Sequence, residues 1–104
     1  TTFDLSGKVP GRVLSMDLKS REISIFADMK GVSYGIARGK NGEILISDWG
    51  EDLLSGKIWR IDANGQIRKI SLGAMQRPAD ISSDGKVLLI PKTLENKVEL
   101  INLP

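Results

Sequence analysis

Gly56-Lys57-Ile58-Trp59-Arg60-Ile61-Asp62 has two counterparts in the same chain. Gly11-Arg12-Val13-Leu14-Ser15-Met16-Asp17 lies 45 residues earlier, and Asn96-Lys97-Val98-Glu99-Leu100-Ile101-Asn102 lies 40 residues later. Each copy opens with Gly or Asn and a basic residue, and each closes on Asp or Asn. Between the copies, Ile36 to Ile46 aligns with Ile81 to Leu89, setting Asn41-Gly42 beside Asp84-Gly85 and Ile44-Leu45-Ile46 beside Val87-Leu88-Leu89. Self-similarity at roughly 20 to 50 residues marks solenoids and propellers.

Within each repeat, short apolar runs alternate with turn residues. Asn-Gly and Asp-Gly between such runs predict hairpins, because both residues tolerate positive φ. Asn64-Gly65 accordingly joins Ile58–Asp62 to Ile67–Leu72, and Lys19-Ser20 joins Val13–Met16 to Ile23–Phe26. No window of about 11 residues carries a helical stripe. The expectation is an antiparallel meander of about four strands per repeat. Gly31, Gly35, Gly39, Gly42 and Gly50 lack the G-x-G-x-x-G spacing of a phosphate loop and read as turn glycines.

The repeated strand also decides between all-β architectures. Its first apolar column is Val13, Ile58 and Val98, and its fourth is Met16, Ile61 and Ile101. Residues three apart on a strand point to opposite faces. A strand that is apolar on both faces is covered on both sides, as in a propeller blade packed between its neighbours. A sandwich predicts one-sided alternation. The expected fold is therefore all-β, a β-propeller segment of about two and a half four-stranded antiparallel blades, with a sandwich or open meander as alternatives. The blade boundaries read as 1–31 for the end of one blade, 32–73 for a complete blade and 74–104 for an incomplete closing blade. Such a piece exposes strand edges and apolar faces. Its expected partners are therefore the remaining blades of a longer parent, or other copies of the chain.

Forty per cent hydrophobic and 27% charged residues suit a folded domain rather than a disordered segment. The longest apolar runs, such as Val87-Leu88-Leu89-Ile90-Pro91, fall far short of the ~20 residues of a membrane span. Thr1-Thr2-Phe3-Asp4 has neither the basic nor the apolar region of a signal peptide. The net charge of +2 is scattered, without the dense basic stripe that nucleic-acid binding rewards. With no cysteine and no histidine in these 104 residues, disulfides, thiolate or imidazole metal sites and a Ser-His-Asp triad are excluded within them.

Three stretches carry a family resemblance: Tyr34-Gly35-Ile36-Ala37 with Asn41-Gly42-Glu43-Ile44-Leu45-Ile46-Ser47-Asp48, then Gly56-Lys57-Ile58-Trp59-Arg60-Ile61-Asp62, then Pro78-Ala79-Asp80-Ile81 leading into Val87-Leu88-Leu89-Ile90-Pro91 and Asn96-Lys97-Val98-Glu99. Together they resemble the NHL-type and senescence-marker-protein/gluconolactonase family of six-bladed propellers, over almost the whole chain. The resemblance implies innermost strands starting near Tyr34 and Ala79, and an outer strand for the last blade supplied by the other end of the chain. It also implies export, to the periplasm or outside the cell. Lactonases of this family hold a divalent cation (calcium, magnesium or zinc) through oxygen and amide ligands, where it polarises a carbonyl and activates water. Asp48 matches their strand-end Asp, but Tyr34 stands where their Asn belongs, and the next repeat has Ala79 and Pro91 there.

The candidate ligand-binding residues are Tyr34, Asp48, Trp49, Arg77 and Asp80, with Asp48 the one candidate metal ligand. The alternative for Asp48 is a structural role, bonding backbone amides in the turn toward Gly50. Trp49 precedes the loop Gly50-Glu51-Asp52, where its ring could meet a ligand, whereas Trp59 reads as packing. Glu51-Asp52 reads as a solvated pair rather than an acid-base pair. Arg77 and Asp80 flank Pro78 and either pair with each other or recognise an anion. Lys92 reads as the counterpart of Trp49, solvated or facing the mouth. Three functions follow: a propeller binding a small molecule or partner loop at its channel mouth, a metal-dependent lactone or ester hydrolase, and a protein-interaction scaffold.

Overall fold

The described residues form nine strands: β1 (Arg12–Met16), β2 (Ile23–Asp28), β3 (Ser33–Arg38), β4 (Ile44–Asp48), β5 (Gly56–Ile61), β6 (Ile67–Met75), β7 (Ser82–Ser83), β8 (Val87–Lys92) and β9 (Lys97–Asn102). The computed structural model describes residues 1–104 except Phe3, Asp4, Leu5, Gly7 and Lys30, and omits the side chains of Ser71 and Ala74. Half of the N-terminal stretch Thr1-Thr2-Phe3-Asp4 thus lies outside the described residues. Each strand pairs antiparallel with its sequence neighbour, in sheets ordered β1-β2, β3-β4-β5-β6 and β7-β8-β9. The chain is all-β, as its repeats predict. No described helix is long and apolar enough to cross a membrane.

The turns form where the sequence marks them. Asn41 (φ 52°, ψ 37°) and Gly42 (φ 77°) both take the left-handed region that a tight hairpin needs. The Asp that closes a repeated strand caps the following turn. Asp62 Oδ1 accepts from the Asn64 and Gln66 amides, and Asp17 Oδ1 from those of Lys19 and Ser20. Asp84 does the same for Lys86 and Val87. These backbone bonds favour the charged form and hold the Asp17 and Asp84 carboxyls below the usual carboxylate range.

The four-stranded sheet is covered on both faces. Ile58, with Leu45, packs among Ile81, Leu88, Ile90 and Leu103 of the β7–β9 segment. Ile61, with Ile46, packs instead among Val13, Ala27 and Met29 of the β1–β2 segment. The two apolar columns of the repeated strand thus serve two separate cores. The flanking sheets leave their outer faces open, with Leu14, Met16, Ile23 and Ile25 exposed on one, and Leu89, Val98 and Leu100 on the other. At Gly35 the middle sheet meets the next so closely that a Cβ there would lie 2.7 Å from the Ile81 amide nitrogen and 2.8 Å from Asp80 Cα.

The pairing shifts one part of the expected repeat alignment. Residues 39–43 separate the register partners Arg38 and Ile44 of β3 and β4, whereas 84–87 separate Ser83 and Leu88 of β7 and β8. Ile44-Leu45-Ile46 therefore corresponds to Leu88-Leu89-Ile90, one residue beyond the sequence match. Asp48 pairs with Lys57, and Lys92 with Lys97, so the counterpart of Asp48 is Lys92 rather than Pro91. Likewise the Trp49 amide donates to Val32 O while the Thr93 amide donates to Arg77 O, which makes Thr93, not Lys92, the counterpart of Trp49. The innermost strand of the last sheet is shorter than expected: a single bridge joins Pro78 to Lys92, and pairing resumes only at Ser82. Pro78 has no N–H to give the ladder.

Candidate functional site

Trp49, just past the end of β4, joins three segments of chain. Its amide donates to Val32 O at 2.9 Å, and its indole Nε1–H donates to Pro78 O at 3.0 Å. The ring so fixed stacks on Tyr34 of β3, with centroids 5.0 Å apart and planes 9° from parallel. The Arg77 guanidinium carbon lies 5.5 Å from the Trp49 ring centroid, within the range of a cation–π contact. Arg77 Nε–H in turn donates to Leu53 O at 3.1 Å.

Both ends of that last bond carry unusual backbone. Arg77 has φ 45° and Leu53 φ 61°. A side chain with a Cβ is disfavoured there, and the residue before a proline prefers extended backbone. Conformations of this kind cost on the order of 1–3 kcal/mol and concentrate at ligand-binding and switch regions.

The repeat itself does not require the cluster. By strand pairing, the counterparts of Tyr34 and Trp49 in the next sheet are Ala79 and Thr93, and the counterpart of Arg77 is Val32. Ala79 and Thr93 keep their backbone bonds, to Pro91 O and Arg77 O, without an aromatic ring. Ser47 ties β3 to the next sheet directly. Its Oγ accepts from the Gly35 amide and donates to Ala79 O, both at 2.8 Å.

Asp48 is held differently. It is 1% exposed, and Oδ1 accepts from the amides of Val32 (2.9 Å) and Gly50 (2.7 Å), while Oδ2 accepts from Trp59 Nε1–H (2.8 Å). Three N–H donors converge on this carboxylate, the surroundings of an anion acting as a structural acceptor. The next repeat makes a similar diagonal tie with other chemistry: Lys92 Nζ bonds Glu99, the counterpart of Trp59, and also approaches Glu95 at 3.6 Å. The bond to Glu99 raises the Lys92 pKa. No group of three or more Asp or Glu residues that could hold a cation comes together among the described residues. The residues present thus do not by themselves fit the cation that the family resemblance implies.

The remaining candidates separate. Asp80 is exposed and makes no ion pair with Arg77. Glu51 and Asp52 do not act as a pair. Asp52 closes its own loop, accepting from Ser55 Oγ and from the Leu54 and Ser55 amides, and these bonds lower its pKa to about 2. Trp59 is half-buried against the β1–β2 core, with Lys57 Nζ 5.7 Å from its ring centroid. The sequence reading missed Leu53 and Ser47. Leu53 contributes only a carbonyl oxygen, which no side-chain pattern marks. A serine hydroxyl within an apolar strand was the one signal for Ser47.

No protein-family model matches the chain, and no curated protein is similar enough to it to carry an inference.

Proposed function

We propose that these residues are blades of a β-propeller of the NHL-type and gluconolactonase-like kind, and that they bind a ring-bearing small molecule at the end of the stack marked by Tyr34, Trp49 and Arg77. Two observations support the propeller reading. The middle sheet has a core on each face. The outer faces of its neighbours are apolar at positions whose counterparts in the middle sheet are buried: Met16 corresponds to Ile61, and Val98 to Ile58. Further sheets of the same repeat, from a longer parent or from other copies, would cover them in the same way.

The observation that carries the binding reading is the Tyr34–Trp49–Arg77 cluster, assembled at positions where the neighbouring repeats carry Ala79, Thr93 and Val32 instead. Tyr34, stacked on Trp49, is 38% exposed, and aromatic side chains of this kind stack on planar or sugar rings. The hydrolase reading has less support, because the Asp48 oxygens already accept three N–H bonds.

The test is an NMR titration of the 104-residue chain with benzamide, benzoate and methyl glucoside, following the two indole N–H signals, with Trp59→Phe assigning them. At least one ring probe is expected to shift the Trp49 signal and not that of Trp59, and Tyr34→Ala is expected to abolish the shift. No movement of Trp49 with any of the three probes would refute the proposal.

A further inference from the structure

Resting on that ligand-site reading, we infer that the ligand carries an oxyanion, a carboxylate or phosphate, received by the terminal amino groups of Arg77. A guanidinium has five N–H donors, and here Nε–H alone is committed, to Leu53 O. The side chain is half-buried, yet no carboxylate among the described residues pairs with it. Asp80, three residues away, does not turn toward it. A cation drawn partly out of water without a counter-charge is costly. The Trp49 ring offsets part of that cost and fixes the guanidinium against an aromatic surface.

What remains is a planar fork with two amino groups uncommitted, the geometry that receives an oxyanion through two parallel bonds. It is pre-organised on both sides. Leu53 O holds Nε, and the Trp49 ring is itself tied to Pro78 O. The left-handed backbone at Arg77 is built into the sheet-to-sheet connection, and the repeat manages the corresponding point with Val32 and no such cation. A ring held at the Tyr34–Trp49 pair, with an oxyanion on Arg77 beside the Trp49 ring, is the ligand that uses both features.

The test compares benzoate and phenyl phosphate with neutral benzamide on the 104-residue chain, reading Kd from the Trp49 indole shift. At low salt, at least one of the two anions is expected to bind about tenfold or more tightly than benzamide, as a charge-assisted bond implies. The tighter of the two names the oxyanion. Arg77→Gln is expected to erase that preference while benzamide binding persists, and Arg77→Lys to retain only part of it. Equal affinities for anions and benzamide in the unaltered chain would overturn the oxyanion inference and leave the ring-binding site standing. So would a preference that survives in both Arg77 variants. Failure of all three probes would overturn the inference together with the reading beneath it.

Discussion

Ile58→Ala and Val98→Ala alter the same column of the repeat in two different surroundings. Ile58 is 0% exposed, beneath the β7–β9 segment, whereas Val98 is 62% exposed on the open face of its sheet. Shortening Ile58 to alanine removes three carbons from a filled core. At about 0.8 kcal/mol per buried methylene the transfer loss alone is roughly 2.4 kcal/mol. The cavity left behind brings the expected total to about 3–4 kcal/mol, inside the usual span for such truncations. That is a large fraction of the ~5–15 kcal/mol by which a domain is stable, so the variant should unfold at markedly lower urea. Val98→Ala should cost no more than about 0.5 kcal/mol, as surface changes do. Urea unfolding followed by tryptophan fluorescence at low chain concentration measures both. Equal losses, or a larger loss at Val98, would refute the reasoning, because the two residues hold the same place in the repeat and the one extra carbon removed at Ile58 accounts for only about 0.8 kcal/mol of the difference.

Asp48→Ala should cost roughly 3 kcal/mol or more, about 1 for each of the three N–H donors it strands, and Asp48→Asn less, in the same urea assay. A neutral Asp48→Ala would show that the three donors find other partners. Gly35→Ala should destabilise by about 1–3 kcal/mol, because its Cβ would meet the backbone of Asp80 and Ile81, which cannot move aside without separating two sheets. Unchanged stability on that substitution would disprove the close approach of β3 to the last sheet. Asp52 should titrate near 2 instead of its ordinary 3.8, since Ser55 Oγ and two amides favour its charged form. Because the folded value is depressed, its contribution to loop stability is present above pH 3.8 and fades as pH falls toward 2. Carbon-detected NMR of the carboxyl checks this, and a midpoint near 3.8 would contradict it.

The fold class was legible because the repeat wrote it three times over. Ile58 and Ile61, three apart, announce two buried faces, and Asn41-Gly42 and Asn64-Gly65 announce the turns between strands. The strand register was less legible. The hairpin between β7 and β8, one residue shorter than that between β3 and β4, sets the β8 correspondences one residue beyond the sequence match, and apolar residues on both sides of the true match hid the slip. The individual members of the Tyr34–Trp49–Arg77 cluster could be singled out as residues near strand ends. Their assembly could not. It depends on a left-handed Arg77 turning its side chain toward Leu53 O instead of Asp80, and side-chain sequence carries no signal for a carbonyl acceptor. Asp48 could be assigned its amide bonds toward Gly50 from sequence, but not the Trp59 indole, which reaches it across the β4–β5 pairing.

Methyl–methyl NOEs in the selectively labelled 104-residue chain test two-sided burial of the β4–β5 pair most directly. The expected result is two separate sets: Ile46 and Ile61 with Val13, Ala27 and Met29, and Leu45 and Ile58 with Leu88 and Ile90. A single set, linking all four middle-strand residues to one neighbouring sheet, would contradict the stacked-sheet account and the propeller proposal built on it.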